Sequence, residues 1–247
     1  MIKSFSYMFK DSNFLKKFFT LFAFVLTANF LTNLSGIMQP ILGRASIWYN
    51  IVLIFGYILM FVPYGYSIEL LKANMSNLEE NNLLDMDIFK NFKDGLKVVL
   101  SSLILILSVF ILFILFGLFS RLLAIKFGIN VSSYIYTFIF LIFLIISFLM
   151  IGMCCRYVIK PSWLNFVDFK SVITLINKNV AKYFKVYLMT ALLFIILGVL
   201  TVISALILTQ KGFVGFIIYN IIISLAWTYL TLVFAKLFSF AVEVDKI

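Results

Sequence analysis

Six long apolar stretches alternate with short segments that hold all the charged residues. Each stretch has between 23 and 29 residues without Asp, Glu, Lys or Arg. About 20 apolar residues cross the hydrocarbon core as a helix, whereas strands of a membrane barrel are about 10 residues long and alternate. The pattern therefore predicts six transmembrane helices. Their expected bounds are near 18–38, 47–70, 98–120, 132–155, 186–208 and 214–236.

A short amphipathic segment precedes each pair of predicted spans. The segments lie near 2–10, 87–97 and 169–185, and their apolar residues recur at helical spacing between lysines. This pattern is typical of a helix in the membrane interface, with its lysines among the headgroups. The same faces are candidates for docking a protein partner. The residues expected to do so are Phe89, Phe92, Leu96, Phe169, Ile173 and Ile176.

The recurring order of segment and hairpin predicts an all-α integral membrane protein. We expect one transmembrane domain, 1–247, built from three helical hairpins, each preceded by a cytoplasmic amphipathic interfacial helix. The similar units are expected near 1–72, 86–155 and 162–240. The alternative is that any protein with six membrane helices has basic amphipathic loops, and the sequence leaves it open.

Local signals predict where several helices begin or bend. Gly56, Pro63 and Gly65 predict a kink in the second span, since Pro removes a helical donor. Side chains that accept hydrogen bonds from the first amides of a helix are N-caps. The expected N-caps are Asp11 or Ser12, Asp87, and Ser162 or Asn165.

The basic residues predict the orientation in the membrane. With six spans, 16 of the 20 Lys and Arg residues lie on the side of the two termini. The positive-inside rule places that side, with both termini, in the cytoplasm, and we expect the protein to lie in the plasma membrane. The net charge of +10 then predicts attraction to anionic lipid on the cytoplasmic side. Nucleic acid is not expected as a partner, because the basic residues form no single stripe with interleaved aromatics.

Uncharged polar residues occur within the first and last predicted spans. Asn29 and Asn33 lie one turn apart in the first, and Asn220 and Tyr229 lie in the sixth. They form either a polar cavity for a lipid headgroup or simple hydrogen bonds between packed helices. The sequence leaves both open.

Three stretches resemble a known family. They are Ser4-Phe5-Ser6-Tyr7-Met8-Phe9-Lys10-Asp11, Gly65-Tyr66-Ser67-Ile68-Glu69-Leu70-Leu71-Lys72, and Asp85-Met86-Asp87-Ile88-Phe89-Lys90-Asn91-Phe92-Lys93-Asp94-Gly95-Leu96-Lys97. Together they are similar to an uncharacterised prokaryotic membrane family, domain of unknown function 4013, over nearly the whole chain. The chain departs from the family where Leu83, Leu84 and Met86 replace its usual Pro and Trp. The resemblance implies a fold and no established activity.

The residues that carry most enzyme chemistry are scarce. The chain has no His, which removes the commonest general base near neutral pH. We expect no catalytic residues and no cofactor. We also expect no metal site, because a solvated loop accounts for the acidic cluster of Glu69, Glu79, Glu80, Asp85 and Asp87. Cys154 and Cys155 are expected to be small buried residues, with reversible acylation as the alternative.

These features predict a membrane protein that is not an enzyme and acts through partners. The expected role is an accessory, immunity or scaffold component, or a subunit of a membrane transport complex. A protein partner or a homo-oligomer is expected. The alternative is a facilitator or exporter of a lipid-like or hydrophobic peptide substrate, since such cargo needs no charged site.

Overall fold

A computed structural model describes residues 7–42, 47–76, 83–127, 132–162, 168–208 and 211–241 of the chain. Within these ranges the ordered elements are helices. A 3₁₀ helix, Tyr7–Lys10, precedes α1 Phe14–Leu42, α2 Ile47–Leu59, α3 Phe61–Ser76, α4 Ile88–Phe127, α5 Ser132–Ile159, α6 Phe169–Asn177, α7 Val180–Leu208 and α8 Gly212–Ala241.

Four helical segments are long and apolar enough to cross a membrane. They are Phe14–Leu34, Ile47–Ser76, which comprises α2 and α3, Val180–Leu208 and Gly212–Ala241. The predictions of an all-helical chain and of a membrane protein are therefore confirmed for the described residues. The expected spans 98–120 and 132–155 fall within α4 and α5, and their assignment as spans stays a prediction.

The packed core lies toward one end of the helices. It gathers the 3₁₀ helix, the carboxyl ends of α3, α5 and α8, and the amino ends of α6 and α7. Its buried members include Tyr7, Leu70, Met153, Val172, Tyr183 and Leu237. By the predicted topology this is the cytoplasmic end. Toward the opposite end, large apolar side chains such as Trp48, Ile195, Ile203 and Phe213 are exposed, as suits a surface whose solvent is lipid.

The kink predicted in the second span is present as a break at Met60, between α2 and α3. Pro63 lacks an amide hydrogen, so the carbonyl of Leu59 has no donor four residues later. The last residue of α2 is Leu59. The break lies where the sequence places the missing donor.

The three amphipathic segments take three different forms. Part of the first is the 3₁₀ helix Tyr7–Lys10, and the third includes the separate helix α6. Residues 88–97, expected to form a separate interfacial helix, are instead the first turns of α4. No Pro interrupts the chain there, whereas Pro161 precedes α6.

Of the predicted N-caps, Asp87 is confirmed, whereas Asp11 lies three residues before the start of α1 at Phe14 and holds a turn ahead of the helix. The Asp11 Oδ1 accepts a hydrogen bond from the Asn13 amide at 2.7 Å, and the Asp87 Oδ1 accepts one from the Lys90 amide at 3.0 Å. The cap of α6 was predicted wrongly. Asp168 accepts from the Ser171 amide at 3.2 Å, rather than Ser162 or Asn165, the latter of which lies outside the described residues.

Helices α3 and α4 cross at two glycines, Gly65 and Gly95. A Cβ atom on Gly65 would overlap the backbone of Asn91, and one on Gly95 would overlap the carbonyl of Phe61. The two backbones are therefore in direct contact, and any larger side chain would force them apart. Small residues serve this purpose in membranes, where packing rather than the hydrophobic effect holds helices together.

We predict that Gly95→Ala destabilises the protein by about 1–3 kcal/mol, because overpacking at a backbone contact forces the helices apart. Gly117→Ala is the matched control on the same helix, since a Cβ there has no neighbour within 4 Å. Thermal unfolding in detergent, followed by circular dichroism, should show a lower Tm for Gly95→Ala only. Equal Tm values for the two variants would contradict the close crossing.

Candidate functional site

A buried lysine lies near the carboxyl end of α8. Lys236 is 3 % exposed, and its Nζ donates to the Asn74 Oδ1 of α3 at 3.1 Å. It also lies over the Tyr7 ring, 5.3 Å from the centroid. The amino-terminal segment covers it. Tyr7 is itself held by a hydrogen bond of 3.1 Å from its hydroxyl to the carbonyl of Leu232.

A second contact ties the amino-terminal segment to the α3–α4 connection. The Asp11 Oδ2 accepts hydrogen bonds from the Leu83 amide at 2.7 Å and the Lys17 Nζ at 2.9 Å. Lys17 also donates to the Leu83 carbonyl at 2.5 Å. The backbone amide and the backbone carbonyl of the buried Leu83 are thus both paired with charged side chains. We call Asp11, Lys17 and Leu83 the amino-terminal clamp.

The clamp sets the ionisation of Asp11. Burial raises the pKa of its carboxyl group, but hydrogen bonds from Lys17 and the amides of Asn13 and Leu83 outweigh this effect. The pKa therefore lies below its ordinary value, and Asp11 stays charged at neutral pH.

The predicted intramembrane polar residues meet in part, between α1 and α8. The Asn33 Nδ2 donates to the Asn220 Oδ1 at 2.8 Å, and the Asn29 Nδ2 donates to the Ser224 Oγ at 3.0 Å. The Asn220 Nδ2 donates in turn to the Phe216 carbonyl at 2.9 Å. Tyr229 lies nine residues beyond Asn220 and packs against the apolar core instead. We call Asn29, Asn33, Asn220 and Ser224 the polar seam.

The six predicted docking residues divide into two groups. Three are exposed: Phe89 by 80 %, Ile173 by 48 % and Phe169 by 40 %. The other three are half-buried or buried, and they are Phe92, Leu96 and Ile176. The Phe92 ring packs against that of Phe61, with centroids 5.6 Å apart. Only the exposed group remains available to a partner.

The exposed residues lie in two places: one has exposed carboxylates followed by the exposed Lys90 and Lys93, and the other is mainly basic. At the start of α4, Ile88 and Phe89 follow the exposed Asp85 and Asp87, and we call these four the acidic corner. Glu79 and Glu80 lie outside the described residues. On α6, Phe169 and Ile173 lie among the exposed Lys170 and Lys178, and we call these four the basic corner.

A family model described as "Protein of unknown function (DUF4013)" matches residues 49–209, more than half of the chain. The chain belongs to this family. Neither the comparison with curated proteins nor that with solved structures found a match. The DUF4013 match includes the glycine crossing and both corners. It does not include α1, α8, or the clamp residues Asp11 and Lys17, so the predicted resemblance is confirmed for the matched range.

Within the family match, an ion pair that the sequence did not suggest joins α3 to α4. The Lys90 Nζ donates to the Glu69 Oε1, and this raises the pKa of Lys90. Glu69 and Lys90 each lie within a stretch of the family resemblance, but a separation of 21 residues gives no local signal of pairing. The pair lies beside the acidic corner and fixes the first turn of α4.

Asn91 is a second residue that sequence reasoning missed. It is fully buried at the glycine crossing, and neither its side-chain oxygen nor its nitrogen has a hydrogen-bond partner among the described residues. Such a side chain costs about 1–3 kcal/mol. The signal that could have found it is a polar residue one turn before Gly95, on the face that meets α3.

The described residues place little reactive chemistry together. They contain no group of three His, Cys, Asp or Glu residues able to hold a metal ion. Cys155 is buried and its Sγ lies 3.4 Å from the Phe238 carbonyl, while Cys154 is half-buried. Burial favours the packing interpretation of this pair over acylation.

We predict that Asp11→Asn destabilises the protein by about 1–3 kcal/mol at neutral pH, because the clamp loses a charged acceptor. The carboxylate contributes above its ordinary pKa, and the contribution is lost as the pH falls below about 4 toward the lowered value. The Tm difference from wild type should therefore shrink in acid. Asp94→Asn, which removes an exposed pair with Lys97, is the control and should change Tm little. A gap that is constant with pH would contradict the role of charge.

Proposed function

We propose that this protein is a six-span accessory subunit of a membrane transport complex, that it is not an enzyme, and that it binds a soluble protein partner at the acidic corner. The protein then lies in the plasma membrane, with both termini in the cytoplasm. The single observation that carries the proposal is Phe89, an aromatic side chain 80 % exposed at the cytoplasmic end of α4.

The position of Phe89 suits a binding residue. One turn further along α4, Phe92 packs on Phe61 and Gly95 meets the α3 backbone. The Glu69–Lys90 pair holds the same turn from the side. Phe89 is therefore presented by a helix end that is fixed before a partner arrives, which lowers the entropic cost of binding. Aromatic residues in such positions dominate the energy of protein interfaces.

Charge supports a protein rather than lipid as the ligand of this corner. The Asp85 side chain is 97 % exposed and lies 3.5 Å from the Lys17 Nζ, and Asp87 is exposed beside it. The cytoplasmic leaflet is negatively charged, so carboxylates are repelled from it. A basic surface on a partner would complement them and speed the encounter. The partner we propose is thus a soluble protein with a basic face and an apolar pocket.

The alternative function, a facilitator or exporter, would use the polar seam as a substrate site. The seam amides instead bond to each other: Asn33 to Asn220, and Asn220 to the Phe216 carbonyl. Asn220 is almost completely buried. Paired amides of this kind hold packed helices together, which supports the packing interpretation and leaves the accessory role as our choice.

The proposed topology predicts opposite accessibility at the two ends of α5. In a variant without Cys154 and Cys155, Lys126→Cys should react with an impermeant maleimide on intact cells. Lys178→Cys should react only after the membrane is opened. Both lysines are exposed, so each site is a control for the other. Labelling of both from the same side would contradict a membrane crossing by α5.

We predict that Phe89→Ser weakens binding of the partner by more than about tenfold, as expected for loss of an aromatic hot spot. The measurement is affinity purification from native membranes in mild detergent, with quantitative mass spectrometry of what is retained. Phe169→Ser, an exposed Phe on the basic corner, is the matched control and should retain the partner.

Two results would overturn the docking proposal. The first is an identical set of co-purifying proteins for wild type and Phe89→Ser. The second is equal loss in both Phe variants, since that would indicate general destabilisation. Asp85→Asn with Asp87→Asn should slow association and make it less sensitive to salt, if charge guides the encounter.

A further inference from the structure

Helix α6 rests on the core by one face only. A Cβ atom on Gly152 of α5 would lie 2.8 Å from the Val172 Cγ1 and 3.5 Å from the Ile176 Cδ1, so both side chains lie against this glycine. Val172 is fully buried and Ile176 nearly so. The glycine lets a short helix approach α5 closely and fixes its rotation about its own axis.

The contact is reinforced from α7. The Tyr183 hydroxyl accepts a hydrogen bond from the Gly152 amide at 2.8 Å and donates to the Phe148 carbonyl at 2.5 Å. These hydrogen bonds hold the start of α7 against α5. Helix α6 packs on the same glycine, so both α5 and α7 contribute to the surface that it contacts. The orientation of the outer face of α6 follows from these contacts.

The outer face of α6 is divided into apolar and polar sides. Phe169 and Ile173 lie one turn apart beside the buried residues, and both are exposed. Thr174 lies on the side opposite the buried face, and Lys170 and Asn177 lie between. A helix with one face on protein, a second apolar and a third polar and cationic has the pattern of a helix at a membrane surface.

The apolar side is continued by α7. After α6 ends at Asn177, α7 begins at Val180, and its exposed apolar residues Phe184, Leu188 and Ile195 recur toward the opposite end of the helix. This stripe is part of a helix apolar and long enough to cross the membrane. We therefore expect the lipid acyl chains that cover this stripe to end at the level of α6.

The charges at this level are mainly basic. Four exposed lysines lie on α6, on the start of α7 or in the turn between them. They are Lys170, Lys178, Lys182 and Lys185. One carboxylate, Asp168, caps α6 and lies near Arg156 of α5. The excess of positive charge contrasts with the acidic corner, where we propose that a soluble protein binds.

We propose that the basic corner is a binding site for acidic phospholipid of the cytoplasmic leaflet. Phe169 and Ile173 enter the acyl boundary, and Lys170 and Lys178 contact the headgroup phosphates. This site is independent of the proposed accessory function, because it uses a different surface and a ligand of opposite charge. Lipid at this site would hold α6 at a fixed depth.

Site-directed spin labelling tests the apolar contact. In a variant without Cys154 and Cys155, nitroxides are attached at Ile173→Cys and, as the matched control, at Thr174→Cys. The protein is placed in vesicles of equimolar phosphatidylcholine and phosphatidylglycerol. The label at 173 should be accessible to oxygen and shielded from a water-soluble nickel chelate, as a label at Leu192→Cys is. The label at 174 should show the reverse.

Equal access of the nickel chelate to the labels at 173 and 174 would overturn the proposal. That result would leave the face open to water and available to a soluble protein. Thr174 is exposed and makes only a local bond to the Lys170 carbonyl, so neither label requires the core to rearrange.

Lipid composition tests the charged contact. Wild type and a Lys170→Gln, Lys178→Gln variant are extracted from the same vesicles, and native mass spectrometry measures the retained phosphatidylglycerol relative to phosphatidylcholine. Each lysine near the surface is expected to change the enrichment by about fivefold. Lys126→Gln with Lys211→Gln removes equal charge outside the basic corner, and should lower the enrichment less than the Lys170→Gln, Lys178→Gln variant does. Equal enrichment in all three proteins would overturn the assignment.

Discussion

The close crossing of α3 and α4 positions the features that distinguish this protein. Because Gly65 and Gly95 have no side chains, two helix backbones touch. In water such a contact would be a minor part of a large apolar core. In lipid, helices gain little from burying apolar surface against each other, so fit between their surfaces decides how they pack. The crossing therefore sets the direction of α4, the pairing of Glu69 with Lys90, and the exposure of Phe89.

Much of the helical framework followed from the distribution of charge. A stretch without charged residues must pair its backbone groups internally in lipid, and a helix is the local way to do so. The break at Met60 and the cap at Asp87 were also predictable, since each depends on residues within one turn. The polar seam was predictable in outline, because amides such as Asn33 and Asn220 in spans seek partners on neighbouring helices.

The remaining features depend on contacts distant in sequence. An amphipathic pattern shows that Phe92 and Ile176 are apolar, but it does not show whether lipid, a partner or the protein itself covers them. The structure buries Ile176 on Gly152 and packs Phe92 on Phe61. Lys236 is the clearest case. Nothing near it in the sequence indicates its burial, because the residue that covers it, Tyr7, lies 229 positions earlier.

The two exposed corners divide the charge at the packed end of the protein in a way that neither net charge nor hydropathy reveals. A total charge of +10 suggests a uniformly basic surface facing anionic lipid. The structure separates an acidic aromatic corner on α4 from a basic aromatic corner on α6. With the proposed topology an anionic leaflet would attract the basic corner and repel the acidic one, so we propose different ligands for their apolar residues.

The buried Lys236 explains why the two ends of the chain depend on each other. A charged side chain within a membrane protein is costly unless polar groups surround it. Asn74 supplies a hydrogen bond from α3, and Tyr7 supplies an aromatic face from the amino-terminal segment. Tyr7 is held in turn by the Leu232 carbonyl of α8. The environment of Lys236 is therefore complete only when the amino-terminal segment has closed over α8, and the Asp11–Lys17 clamp fixes that segment to the α3–α4 connection. The helices outside the DUF4013 match thus close the packed end around the matched part.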